Sequence, residues 1–207
     1  MKIVIIGATR GIGFELTKQS LAEGHEVTAL VRDLIRMTIS HPHLRIVKGD
    51  ATNPESIAEV VKGQDVICDC LGTKNVSKPQ TMFSKSAENI SKVIKPEQLL
   101  IAVTGLGAGD SKGHCSFVYD NIMLPYILKR QYEDKDRQEA IIKSKISRWI
   151  IVRPGFLSDG ERKGKYRAIT EYTGKHGGRI SRADVADFVL SQAVSPEYIG
   201  KTPMLVY

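Results

Sequence analysis

The sequence predicts an α/β protein built on a parallel, doubly wound sheet with helices on both faces. Three observations lead there. An apolar, β-branched run at Lys2–Ile6 (KIVII) passes at once into Gly7-Ala8-Thr9-Arg10-Gly11-Ile12-Gly13 and then into a helical stretch, Phe14 to Glu23. Similar short apolar runs recur along the chain, separated by helical patterns and polar loops. Internal repeats, heptads and low-complexity tracts are absent. Strands that alternate with helices form a parallel sheet and bury it on both sides.

The first unit carries the most information. In a strand, glycine turn and helix, one glycine permits the tight turn, one lets backbone approach a pyrophosphate, and one lets the helix pack on the strand. The spacing here is Gly-x-x-x-Gly-x-Gly. Free N–H groups at the helix start then face phosphates. The second strand, Glu26–Val31, ends at Arg32-Asp33. An acidic residue at this place binds the ribose hydroxyls of NAD, whereas an arginine accommodates the 2′-phosphate of NADP. Arg32 follows the apolar run directly, and Arg10 adds a second guanidinium suited to phosphate. The expectation is NADP(H), with NAD(H) kept as the alternative by Asp33.

Residues 34 to 43 form a loop ending in His41-Pro42-His43, read as surface and not as metal ligands. Leu44–Val47 is a third strand. Gly49-Asp50-Ala51-Thr52 leads into a helix from Pro54 to about Lys62, with Thr52 or Asn53 as cap. Asp50 and the backbone of Ala51 are placed to meet an adenine edge, and a loop-cap role for Asp50 is the alternative. Val66–Leu71 is the fourth strand, and Asp69 within it needs a partner or water. Cys68 and Cys70 share one face of that strand, which favours packing over metal binding. Leu71-Gly72-Thr73 ends it and permits close approach to a cofactor ribose or pyrophosphate. A polar loop, Thr73–Gln80, precedes a helix from Thr81 to Ile94.

Leu99–Val103 is the fifth strand, and it opens into a glycine-rich loop, Thr104–Gly113, expected to be mobile. A helix at Tyr119–Gln131, bent by Pro125, and a charged helix at Glu133–Lys145 follow. Trp149–Val152 is the sixth strand. Arg153–Leu157 is read as a turn in which Pro154 and Phe156 wall a nicotinamide pocket. Residues 158–178 are polar and form a small substrate-side flap with a strand at Lys165–Ile169. Ser181 caps a helix to Gln192, and Lys201–Val206 is the last strand.

The 207 residues are enough for one domain, 1–207, with a sizeable core. The 30 Lys and Arg against 23 Asp and Glu give a formal charge of +7, which favours anionic partners. Aromatic residues are only 6% and do not interleave with a basic patch, so no nucleic-acid partner is expected. No apolar run approaches the roughly 18 residues of a membrane helix. The start reads as a core strand and not as a signal peptide. Three cysteines at positions 68, 70 and 115 make no disulfide framework and fit a reducing cytoplasm.

Several motifs together carry a family resemblance: GATRGIG at 7–13, LVRD at 30–33, GDAT at 49–52, LGTKN at 71–75, TGLGAGDS at 104–111, IVRPG at 151–155 and GGRISRADVA at 177–186. The chain resembles the atypical short-chain dehydrogenases/reductases, in the NmrA-like NAD(P)-binding group near biliverdin reductase B, a flavin reductase. The resemblance implies a Rossmann-like fold. It also implies NADP(H) held by Gly7, Thr9, Arg10, Gly11, Ile12, Arg32, Asp50, Leu71, Gly72 and Thr104, with Pro154 and Phe156 near the nicotinamide. The catalytic pattern departs from the family. The sequence contains no Tyr-x-x-x-Lys; Tyr132-Glu133-Asp134-Lys135 has one intervening residue too few. Where the biliverdin reductase B likeness has a serine after the threonine and two histidines, this chain has Gly105, Lys135 and Phe156.

Carbonyl reduction needs a donor aimed at developing negative charge. Hydride delivery to a flavin depends more on alignment. The leading expectation is therefore an NADPH-dependent oxidoreductase acting on a flavin-like or quinone-like acceptor, a small aromatic substrate. Thr104, Tyr119 and Lys135 are the candidate polar contacts, although Lys135 also reads as a surface lysine paired with Glu139 at i,i+4. Two alternatives stand beside it. One is an NmrA-like sensor that binds a protein partner without turnover, and the other is a nucleotide-sugar reductase or epimerase.

Overall fold

The computed structural model describes every residue except 74, 76, 77, 175 and 176. Those parts of the LGTKN motif, the 73–80 loop and the 158–178 segment that fall on these positions lie outside the described residues. In chain order the elements are β1 (Lys2–Ile6), α1 (Gly11–Ala22), β2 (Glu26–Val31), β3 (Leu44–Lys48), α2 (Pro54–Val61), β4 (Val66–Asp69), α3 (Met82–Ser91) and β5 (Leu99–Val103). A π-helical segment, Tyr119–Leu128, then runs into α4 (Lys129–Lys145). β6 (Trp149–Pro154), β7 (Phe156–Ser158), β8 (Arg167–Ile169), β9 (Arg179–Ser181), α5 (Arg182–Val194) and β10 (Met204–Val206) complete the chain.

The sheet order is β3-β2-β1-β4-β5-β6-β10-β8. Neighbours pair in parallel as far as β10, and β8 pairs with β10 antiparallel. This is the Rossmann-like doubly wound α/β fold. The alternation of β1 explains its two-sided burial. Ile3 and Ile5 point into one core with Leu16 and Leu21 of α1 and Val185 and Phe188 of α5. Val4 and Ile6 point into the other, with Ile57 of α2, Ile90 of α3 and Ile142 of α4. Each such side chain withdrawn from water contributes about 1.5–3 kcal/mol.

Several local readings are corrected. α1 begins at Gly11, not at Phe14, so the last two loop glycines belong to its first turn. The helix expected to span Tyr119–Gln131 winds as a π-helix to Leu128 and is continuous with α4. Pro125 has no N–H for an α ladder and its ring clashes with the carbonyl four residues back, which the wider π winding relieves. The 153–157 turn is largely strand: β6 runs to Pro154, and β7 pairs in parallel with β9 as a separate two-stranded sheet. The glycine-rich segment after β5 is not a free loop. Residues 104–108 are buried. Leu106 N–H donates to Pro154 O at 3.0 Å, and Gly109 N–H donates to Asp136 Oδ1 at 2.8 Å. A Cβ on Gly107 would lie 2.8 Å from Leu124, so the glycines here serve close packing.

Among the described residues, no helix is long and apolar enough to cross a membrane.

Candidate functional site

The strand order reverses between β1 and β4, which places β2 and β3 on one side and β5 and β6 on the other. Open α/β sheets bind ligands outside the carboxyl ends of their strands at such a reversal. A cleft of about 550 Å³ lies there. Gly7, Thr9, Arg10, Gly11, Ile12, Arg32, Asp50, Ala51, Leu71, Gly72, Thr73, Thr104, Lys135 and Pro154 all line it. Residues from seven separate stretches of sequence thus meet in one place.

The glycine turn has the geometry its spacing implies. Gly7 has φ +89°, and a Cβ there would sit 2.8 Å from Cys70 O. Gly11 has φ +59°, a left-handed value that favours glycine. Gly13 does not line the cleft. A Cβ on it would collide with Gly7 O, so this third glycine lets α1 lie against β1. Arg10 precedes α1 in extended conformation and makes no side-chain cap, leaving the first-turn N–H groups of α1 for a ligand. Its guanidinium donates to Gly72 O at 2.8 Å and bridges the two loops of the reversal.

Arg32 and Asp33 separate cleanly. Arg32 is exposed and lines the cleft. Asp33 caps the short 3-10 turn Leu34–Arg36, accepting from Ile35 N–H at 3.1 Å, and pairs with Arg36 at 3.3 Å. Asp50 makes the loop cap considered for it and also faces the cleft. Its Oδ1 accepts from Thr52 N–H and Oγ1, each at 2.8 Å. The Thr52 N–H is the main influence holding its carboxyl below the usual range, with the nearby Arg32 charge acting in the same direction.

At the other end of the cleft lie Met82, Gln131, Lys135, Thr104, Pro154 and Leu157. Lys135 is not the surface lysine its helix position implies: it is 7% exposed. Its Nζ donates to Thr104 O and sits 5.2 Å from the Tyr132 ring and 5.5 Å from the Phe83 ring. The expected i,i+4 pair is made by Lys143 with Glu139 at 3.6 Å, one turn further along α4. Burial pushes the Lys135 ammonium down to about 8, against the pull of Glu139 and Asp69. Asp69, buried at the end of β4, accepts from Ser86 Oγ at 3.0 Å and Gln138 Nε2 at 3.2 Å. Burial raises its carboxyl to about 6 in spite of those bonds.

The Thr104 hydroxyl is spoken for: it donates to Glu139 Oε1 at 2.8 Å. Glu139 also holds the fully buried Arg153, at 2.5 Å and 3.1 Å. Tyr119 and Phe156 do not line the cleft. Tyr119 bonds to Tyr132 through their hydroxyls at 2.8 Å, and burial raises its phenol to about 12. Phe156 packs edge-on against Tyr119, with ring centroids 4.9 Å apart. Residues that sequence reasoning missed are Met82, Gln131, Leu157, Asp159 and Arg182, all lining the cleft. Arg182 had a signal, since it follows the Ser181 cap at the start of a helix.

The turn a Cβ would fill, the uncapped helix start and the cationic side chains fit an elongated phosphorylated ligand. Residues 7–196 match the family model described as NAD(P)H-binding. The chain belongs to the NAD(P)H-binding family. Among solved structures similar to this NAD(P)H-binding protein is ChuY, an anaerobillin reductase from Escherichia coli O157:H7, with a TM-score of 0.81 and 23% identity over 100% of this chain and 97% of ChuY. SP1627 from Streptococcus pneumoniae, provisionally named an NADH-flavin reductase, matches with TM-score 0.80 and 22% identity, covering 100% and 99% of the two chains. A short-chain dehydrogenase/reductase from Veillonella parvula in complex with NADP matches with TM-score 0.82 and 16% identity, covering 100% and 94%. At these identities the likeness shows the shared fold.

Proposed function

We propose that this NAD(P)H-binding protein is a cytoplasmic oxidoreductase that passes hydride from NADPH to a small flavin-like or quinone-like acceptor. The observation that carries the reading is the composition of the cleft. It joins a phosphate-binding turn to a buried lysine and a proline-lined end, and among its lining residues there is no tyrosine. The phenols of Tyr119 and Tyr132 bond to each other, and neither residue lines the cleft. A conjugated ring takes hydride into its own π system without the tyrosine acid that these lining residues lack, and the Lys135 ammonium meets the charge the ring gains.

When bound, NADPH supplies the hydride. The chain's residues orient and charge the site. Thr9, Gly11 and Ile12 offer the phosphate turn, and Asp50 and Ala51 flank the adenine end. Arg32 supports NADPH over NADH because the competing carboxylate, Asp33, is committed to its own turn. Thr104 and Pro154 shape the nicotinamide end. Lys135 stands beside them as a cation at neutral pH and favours an acceptor that gains negative charge. The names of ChuY, an anaerobillin reductase, and of SP1627, provisionally an NADH-flavin reductase, support the reductase reading. They also favour the flavin-reductase branch of the atypical short-chain reductases.

Stopped-flow mixing of C4-deuterated NADPH with FMN, FAD and quinones tests this directly, with deuterium expected in the reduced product. Tight NADPH binding with no oxidation across that panel would instead favour a non-catalytic sensor. Arg32→Ala should weaken NADPH binding by about tenfold or more and NADH binding little, read by calorimetry. Equal losses would show that Arg32 does not read the 2′-phosphate.

A further inference from the structure

The geometry points to Arg182 as the reader of the cofactor diphosphate, with the carboxylate of Asp159 holding its place until the dinucleotide arrives. The inference rests on the dinucleotide reading above and adds a binding residue to it. Arg182 opens α5, and both it and Asp159 line the cleft. The Cδ and Nε atoms of Arg182 lie 3.7 Å from where a Cβ on Gly11 would be. Gly11 begins α1, and the free N–H groups of that first turn define where phosphate oxygens sit. Arg182 therefore stands beside the phosphate seat, carried there by α5, which packs against α1 on the same face of the sheet.

Its present partner is a weak one. Arg182 Nη1 donates to Asp159 Oδ1 at 2.7 Å, but the Asp159 side chain is 94% exposed, so solvent screens the pair. A diphosphate offers the planar guanidinium several charged oxygens in place of one exposed carboxylate. The same carboxylate would repel a diphosphate in the cleft, so exchange removes a repulsion as it makes a contact. The local chain permits the exchange. Residues 159–162 have no regular structure. Asp159 lies between fixed points: β7 on one side, and on the other Arg162, paired with Asp187 at 2.9 Å, and Lys163 and Gly164, whose N–H groups donate to Asp184 Oδ1 at 2.7 Å and 2.8 Å. The other two cleft arginines have different tasks. Arg10 donates to Gly72 O, and Arg32 lies by Asp50.

Calorimetric titration of the full chain with NADPH, NADH and 2′-AMP tests the assignment, because 2′-AMP carries the 2′-phosphate and lacks the diphosphate. Arg182→Ala should weaken NADPH and NADH by a similar factor, about tenfold, and leave 2′-AMP binding within about twofold. Asp159→Asn should strengthen both dinucleotides, since it removes the competing charge and leaves the fold of the loop. A neutral R182A overturns the inference while wild-type NADPH binding preserves the functional reading. An R182A loss that extends equally to 2′-AMP overturns it in favour of a general disturbance of the cleft. Unchanged binding by D159N overturns the place-holder. Wild type that binds no dinucleotide overturns both this inference and the reading beneath it.

Discussion

Burial of Lys135 under Thr104 gives the cleft a pH dependence that can be worked out in sign. Its ordinary value of 10.5 falls to about 8 in the folded chain, chiefly through burial. Below pH 8 the folded and unfolded chains both hold the proton, and the cost of a buried ammonium is fully present. Between 8 and 10.5 the unfolded chain holds more protons than the folded one, so stability rises with pH. Asp69 acts in the acid range: its value is raised from 3.8 to about 6, so its contribution falls as pH rises through that window. Lys135→Met should therefore abolish a rise in unfolding free energy between pH 8 and 10.5, amounting to a few kcal/mol at most (about 1.4 kcal/mol per pH unit). Urea titrations of wild type and K135M across that range measure it; identical slopes would show that Lys135 titrates as an exposed lysine. Nothing near Lys135 in the sequence announces its burial. The ring of Phe83 and the carbonyl of Thr104 come from distant stretches, and helix periodicity places the residue on a charged surface.

At the scale of elements, the strand, glycine turn and α1 were legible because each part depends on near neighbours. Apolar runs of five or six residues and the φ > 0 demand at Gly7 and Gly11 are local facts. β7 and β9 escaped because three residues apiece become strands only through pairing with each other, Phe156 opposite Arg179. The π winding before α4 escaped because Pro125 reads as a bend in an α-helix rather than as a change of helix type. The glycines of the site also differ in a way that spacing does not reveal. Gly13→Ala drives a methyl into Gly7 O, and α1 must lift from β1. A loss of about 1–3 kcal/mol is expected from such overpacking, together with loss of NADPH binding. Gly72→Ala meets nothing within 4 Å and should leave the melting temperature unchanged. Thermal unfolding and NADPH titration of the two variants make the comparison; equal melting temperatures would refute the packing role of Gly13.

For the whole molecule, the doubly wound sheet followed from the alternation of elements, but the placement of its last strands did not. Short runs such as Met204–Val206 carry no signal for which neighbour they choose. In the fold β10 lies between β6 and β8, with Met204 opposite both Arg153 and Ile169. That position has a consequence for the order of events during synthesis. A ribosome releases residues 167–169 well before residues 204–206, so β8 has no sheet partner while the nascent chain lengthens. The half of the sheet from β3 to β5 is able to assemble first, and the β6 edge stays open as a hydrogen-bonding surface until β10 docks. Truncating the chain after Pro203 should reproduce that intermediate. It should keep the part of the sheet from β3 to β5 resistant to protease while the 158–178 segment, deprived of its β10 anchor, is cut quickly. Mass spectrometry of a timed digest reads the order of cleavage, and uniform digestion of both halves would mean that the final strand is needed for any part of the sheet to hold.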